Sequence, residues 1–487
     1  MARTVGHVDA AIVGTGPNGL AAGVILARAG LSVTLFEARD TIGGGLRSTA
    51  LFDSDVVHDI CSAVHPLAAA SPFFREFDLA ARGVPLLAPA AAYAHPLEAG
   101  PAGIAYQSLD RTCERLGKDG SRWRTLFGPL VERGDAVADF ALSDQRRPPG
   151  DVVAALLLGA GTLAFGTGAA ARLFREPATA ALLAGVAAHA AGPLPSLPGG
   201  AVAMLLGHLA HARGWPVPRG GSQRIADALA SDIEANGGRF EQGRTIHDLR
   251  ELAEAKVVLL NTGPAGLLAL GGHLLPSRYR RRLQAFRYGP SAAKADFLVS
   301  DPIPWADPGV GEAATVHLGG ELSEVFAAET VVAKGNRAED PFVLVADPAV
   351  ADPGRARGGR RPVWAYCHVP PGDPRDAAAL IQAKIERFAP GFGDTVLARE
   401  GMPATALAAY NNNYVNGDIA GGSVDVRQLL ARPTPRLDPY STPLGGVYLC
   451  SASTPPGPGV HGMAGYHAAR SILRREFDIR QLPDLGP

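Results

Sequence analysis

A chain of 487 residues is too long for one small core, and at roughly 100 to 200 residues per domain it divides into two or three compact units. Its 47% hydrophobic content is ample for burial, and a net charge of −1 argues against a nucleic-acid binder. Four cysteines (Cys61, Cys113, Cys367, Cys450) stand far apart without CxxC or zinc-type spacing, so neither a disulfide framework nor a metal site is expected.

The predicted elements begin with an apolar strand over 9–13 that enters Gly14-Thr15-Gly16-Pro17-Asn18-Gly19. Gly14 permits the tight turn out of the strand, Gly16 lets the backbone approach a pyrophosphate, and Gly19 lets the following helix, 20–29, pack on the sheet. The amide-rich start of that helix then faces the phosphates. A second strand over 32–36 ends at Glu37, about twenty residues past the glycines, where a carboxylate can bond ribose hydroxyls. Glu37 would repel a 2′-phosphate, which disfavours NADP. Glycine makes up 59 residues, so GxGxxG alone would recur by accident; strand, glycines, helix, strand and terminal Glu in one unit would not.

The region from about 70 to 213 reads as mainly helical. Its one long apolar stretch, 152–171, has membrane-span length but carries four glycines, so a buried or surface-docking helix is expected. A glycine turn at 218–223 feeds an amphipathic helix over 224–236, a strand follows near 239–241, and a buried strand runs over 256–263. Short alternating runs at 293–299, 314–318, 342–346 and 363–369 read as antiparallel strands of a second domain. A helix over 376–388 follows. The chain closes with a strand at 445–451, a Gly/Pro loop and a helix over 464–475. This second strand, glycine loop and helix start can face another part of the same long ligand.

The segments DAAIVGTGPNGLAAG, EARDTIGGG, PRGGSQRIADAL, GPSAAKADFLVSDPIPW, NNNYVNGDIAGG and GVYLCSASTPPGPGVHGMAGYHAAR together resemble the FAD-dependent oxidoreductases related to phytoene desaturase, within the wider flavin amine-oxidase clan. The resemblance covers almost the whole chain. It implies FAD, with Gly14, Gly16 and Gly19 on the pyrophosphate, Glu37 on the ribose, and Pro17, Asn18, Ala38 and Leu46 around them. It further implies Gly44 and Gly45 near the ribityl-pyrophosphate, the Ile246 backbone at the adenine, and Ser451 with Val460, His461, Gly462, Met463 and Ala464 on the flavin side. Two departures stand out: Ser451 occupies a position usually held by Gly, and no β-meander separates the strand near 240 from Lys256.

Flavin chemistry needs few protein groups, since the ring accepts the hydride. Lys294, in an apolar strand, is the first candidate, because in the resembled clan a strand lysine holds a water against flavin N5; the alternative is a lysine on a solvent face. His461 could stabilise charge at the pyrimidine edge, or serve loop bonding. Trp364, Tyr366 and His368 share a strand face by alternation and could line a substrate cavity. Asn413 lies in a loop that resembles one near the flavin. His58, Asp59, Cys61 and His65 form a dense polar group with no zinc spacing.

The expected fold is α/β: a Rossmann-type FAD-binding domain, glutathione-reductase-like, assembled from 1–70, 214–285 and 425–487, and a discontinuous α+β substrate domain, 71–213 and 286–424, on an antiparallel sheet. The expected function is FAD-dependent oxidation, desaturation or isomerisation of an apolar, polyene or lipid-like small molecule. The alternatives are amine or amino-acid oxidation, and flavin binding in a partner-binding role. No nucleic acid is expected. No leader is read before the first strand, so the expected location is cytoplasmic, with peripheral membrane contact through the 152–171 stretch.

Overall fold

The computed structural model describes residues 7–52 and 55–487. A parallel five-stranded sheet runs in the order Val447–Leu449, Ala255–Leu260, Val8–Val13, Val33–Phe36, Arg239–Glu241. Residues from both ends of the chain meet in it: Leu260 is paired with Val13 on one side and Leu449 on the other. Inner strands of such a sheet are covered on both faces, which is why Val257-Val258-Leu259-Leu260 is apolar without alternation. The helix Pro17–Arg28 packs against the helices Gln223–Ala235 and Met463–Glu476. Its approach depends on small residues, since a Cβ on Gly19 would collide with the carbonyl of Gly14 and one on Gly465 with that of Asn18.

The second sheet has seven strands in the order Val396–Met402, Ser291–Val299, Arg361–Val369, Val343–Ala346, Thr315–Leu318, Ala91–His95, Gly103–Tyr106. All neighbours are antiparallel except Thr315–Leu318 beside Ala91–His95. The region 70–213 is mainly helical, as read, but it also holds the strands Ala91–His95 and Gly103–Tyr106, which the reading missed: AAYAH is alanine-rich and GIAY is only four residues long. The edge strand Val396–Met402 was also unexpected.

Register assigns the faces of this sheet. Lys294 lies opposite Tyr366, Tyr366 opposite Leu344, and Leu344 opposite His317. The flanking rows are Ala292 with His368, and Asp296, Trp364, Ala346 and Thr315. Alternation puts all of these on one face. The helices Pro177–Ala188 and Leu197–Ala212 pack against Ala91–His95 and Gly103–Tyr106, and Gly185 touches the His317 ring. The opposite face packs on the helix Ala378–Phe388 through Phe297, Ile381 and Ile385.

The expected apolar stretch forms the helix Val152–Phe165, 14 residues long, seated on Leu197–Ala212 through Gly161 and Met204. Its outer side leaves Leu156 68% and Leu163 57% exposed. Among the described residues no helix is long and apolar enough to cross a membrane.

Candidate dinucleotide and substrate cavity

Two glycine turns form the cradle. Gly14 has φ +94°, a left-handed conformation that bends the chain away from the strand at no steric cost. Gly44 (φ +58°) sits so close that a Cβ there would lie 2.9 Å from Gly16 Cα, and a Cβ on Gly16 would lie 2.9 Å from the Asn261 amide. Asn261, just past the central strand, turns its side-chain oxygen to the N–H groups of Gly16 (3.1 Å) and Gly19 (3.2 Å). The Asn413 amide ties down the same corner, donating to the Asn261 carbonyl at 2.9 Å and accepting from the Gly263 N–H at 3.1 Å.

Glu37 is buried at the end of its strand. Its Oε2 accepts from the Thr15 hydroxyl at 2.5 Å and the Thr15 N–H at 3.2 Å, while Oε1 accepts from the Arg39 N–H at 3.1 Å and pairs with Arg47 at 3.0 Å. The carboxylate is therefore held at a fixed angle beside a cation that can also face phosphate.

One cavity of about 690 Å³ joins this corner to the second sheet. It runs from Phe36, Glu37, Arg39 and Ile246, past Gly14, Gly16, Pro17, Asn18, Gly44, Gly45 and the 451–460 loop, to Lys294, Trp364, Tyr366 and His368. A bound carboxylate corner, a glycine-walled passage at a helix N-terminus and a wide aromatic chamber suit an elongated dinucleotide carrying a planar ring. Gly45 walls the passage so tightly that a Cβ would lie 2.6 Å from the Tyr414 hydroxyl.

Of the residues expected at the cofactor, Gly14, Gly16, Pro17, Asn18, Glu37, Ala38, Gly44, Gly45, Ile246, Ser451 and Val460 line this cavity. Gly19, Leu46, His461, Gly462, Met463 and Ala464 do not. Leu46 and Met463 are core side chains, Ala464 is fully buried, and Gly462 packs against Phe73 and Ala21. His461 is a correction: it lies off the cavity, its Nε2 donates to the Gly457 carbonyl at 3.1 Å, and its Nδ1 accepts from the Met463 N–H at 3.0 Å. Burial pushes it down to about 4, so it is a neutral loop brace. Asn413 lines the cavity, but the bonds above make it a loop anchor as well.

Lys294 Nζ is buried in the wall, donating to the Ile60 carbonyl at 2.6 Å and pairing with Asp296 at 2.8 Å. The dense polar group next to it has separate duties. Asp59 pairs with Arg355 at 3.0 Å and accepts from Ser222, His65 bonds the Ser222 hydroxyl at 2.8 Å, and His58 stands 3.7 Å from Asp296. Cys61 faces the cavity beside Tyr414, and burial pushes its thiol up. Among the described residues no cluster of His, Cys, Asp or Glu could hold a metal ion, and all four cysteines are free.

The far chamber is aromatic. Trp364 and Tyr366 stack with ring centroids 5.7 Å apart, and Trp215 and His189 close the other side. His368 Nδ1 lies 2.8 Å from Glu329, and His189 Nε2 lies 2.9 Å from His317 Nε2. Thr15, Arg47, Asn261, His189, Trp215 and Glu329 escaped the sequence reading. Asn261 alone had a local signal, standing where a strand ends in Asn-Thr-Gly; the others are assembled by long-range packing.

The fold and this cradle define a Rossmann-like dinucleotide-binding protein. Residues 12–77 match the NAD(P)-binding Rossmann-like domain family. The chain is homologous almost end to end to the mouse protein named pyridine nucleotide-disulfide oxidoreductase domain-containing protein 2, at 25% identity over 96% of this chain and 93% of the mouse protein. Among solved structures it shares its fold with putrescine oxidase bound to putrescine (17% identity, TM-score 0.56, 98% of this chain and 99% of the other). Cyclohexylamine oxidase from Brevibacterium oxydans also matches (15%, TM-score 0.54, 97% and 99%).

Proposed function

We propose that the protein is an FAD-dependent oxidoreductase acting on a neutral, largely apolar small molecule. The observation that carries this reading is the single cavity that begins at the Glu37 corner and ends in the Trp364, Tyr366, His368 and Trp215 chamber. FAD, when bound, supplies hydride acceptance. Glu37 would hold the ribose, Gly14, Gly16, Gly44 and Gly45 would leave room for the pyrophosphate, and the 451–460 loop would border the flavin. Lys294 would present its remaining N–H to the ring side, and the aromatic walls would orient the substrate and exclude water. Desaturation, hydride removal and isomerisation all suit such a chamber.

Oxidation of an amine is the second reading, favoured by the shared fold with two amine oxidases. Against it stands the chamber's charge: Glu37, at the dinucleotide end, is the only carboxylate on the cavity wall among the described residues, so no anion greets an ammonium group. The exposed side of the helix Val152–Phe165 supports a peripheral docking role on a membrane that holds apolar substrates. Anaerobic reduction of the flavin-loaded protein by a panel of alcohols, polyenes, lipids and amines tests the reading. Reduction by neutral apolar compounds is expected, and reduction by amines alone would overturn it.

A further inference from the structure

Glu329 does not line the cavity but reaches it through one neighbour. It is 2% exposed, on the helix Leu322–Ala333, and His368 Nδ1 is the hydrogen-bond and ion-pair partner the structure gives it. A buried carboxylate needs a donor, and the His368 tautomer with its N–H on Nδ1 supplies one. Nε2 then carries the lone pair on a ring that lines the cavity. A carboxylate placed in this way fixes the tautomer of a histidine base and balances the charge the ring gains.

The groups around His368 leave it this task. His189 is held neutral, pushed down to about 3 by burial, with Nε2 engaged by His317. Burial pushes the Tyr366 hydroxyl up, so it stays protonated. Lys294 spends two of its N–H groups on Asp296 and Ile60 and carries no acceptor. At the other end of the same sheet face, Trp364 Nε1 and Thr315 Oγ1 are buried, line the cavity and have no protein partner. His368 stands four residues from Trp364 on its strand, roughly 13 Å away.

We propose that His368 is the proton acceptor of this chamber, that Glu329 is its positioning residue, and that the substrate is a neutral alcohol with its hydroxyl at the His368 end. The proposal rests on the oxidoreductase reading above. As the alcohol is oxidised, the O–H bond breaks and its proton goes to Nε2, while the electron pair left on oxygen forms the C=O bond. The adjacent C–H bond breaks with its electron pair, a hydride that FAD, when bound, would accept as the two-electron oxidant. A hydrocarbon offers no such proton, and an ammonium group would meet no carboxylate.

The test uses the flavin-loaded protein and 4-nitrophenol, a planar phenol whose ionisation is read in its own absorbance, with binding read separately from tryptophan fluorescence. The wild type is expected to bind it and ionise it at least one pH unit below the free probe. His368→Asn should bind it without that shift. Glu329→Gln should lose at least tenfold of the ionised fraction at fixed pH, and Glu329→Asp should recover part. No binding by the wild type, ionisation at the free value, or a full shift in His368→Asn would each overturn the proposal; the wild-type arm decides even if a variant does not fold. Flavin content is measured alongside, because a wild type that holds no flavin contradicts the oxidoreductase reading instead.

Discussion

Lys294 Nζ stands 2.8 Å from the carboxylate of Asp296, two residues further along the same strand, and both side chains are buried beneath the cavity. Removing one member of such a pair leaves the other charge uncompensated, which costs about 3–5 kcal/mol. Lys294→Met should therefore lower the urea midpoint strongly, and Lys294→Met with Asp296→Asn should recover much of the loss. If the folded variant also loses a cation beside the flavin, its reoxidation by oxygen slows ~10-fold or more. Stopped-flow reoxidation at the parent rate would leave Lys294 with a structural role alone.

Gly16→Val should abolish flavin incorporation. The first side-chain carbon already falls 2.9 Å from the Asn261 amide, and the rest of the valine fills the space a pyrophosphate needs. Flavin absorbance per chain after purification reads the outcome, with circular dichroism to show that the sheet is formed.

The glycine cradle was legible because its parts are local: a turn, a helix start and a strand end within thirty residues. The Trp364, Tyr366 and His368 face was legible because a strand alternates with period two. His461 misled because a histidine in a glycine loop reads alike whether it faces a ligand or braces the loop, and only the Gly457 carbonyl and Met463 N–H distinguish the two. Arg47 and Glu329 were invisible for the opposite reason, since they reach Glu37 and His368 from a folded-back loop and a distant helix.

Acid should unfold the protein cooperatively between pH 6.5 and 4. Burial holds His65, His95, His208, His211 and His461 down to about 4, His189 and His467 to about 3, and His317 well below its ordinary value. The unfolded chain takes up protons near 6.5 that the native state refuses, so stability is present above that pH and lost as pH falls, by up to ~1.4 kcal/mol per pH unit for each histidine. Asp347 and Asp418, whose carboxyls burial pushes up, oppose this only in part. A far-ultraviolet dichroism titration that stays native to pH 4 would contradict the buried, neutral state of these rings.

Liposome association should be peripheral. Leu156→Asp should weaken co-sedimentation with lipid vesicles, because it places a charge at the most exposed large apolar side chain of the Val152–Phe165 helix. Carbonate should release the wild type from membranes, and a requirement for detergent would count against a docking helix.

On the proposed reading, one FAD occupies the cavity between the Glu37 corner and the aromatic chamber. Denaturing the purified protein and analysing the released cofactor tests it most directly. FAD is expected, close to one per chain, with Gly16→Val devoid of it. A protein with no flavin absorbance that binds NAD instead would overturn the FAD assignment.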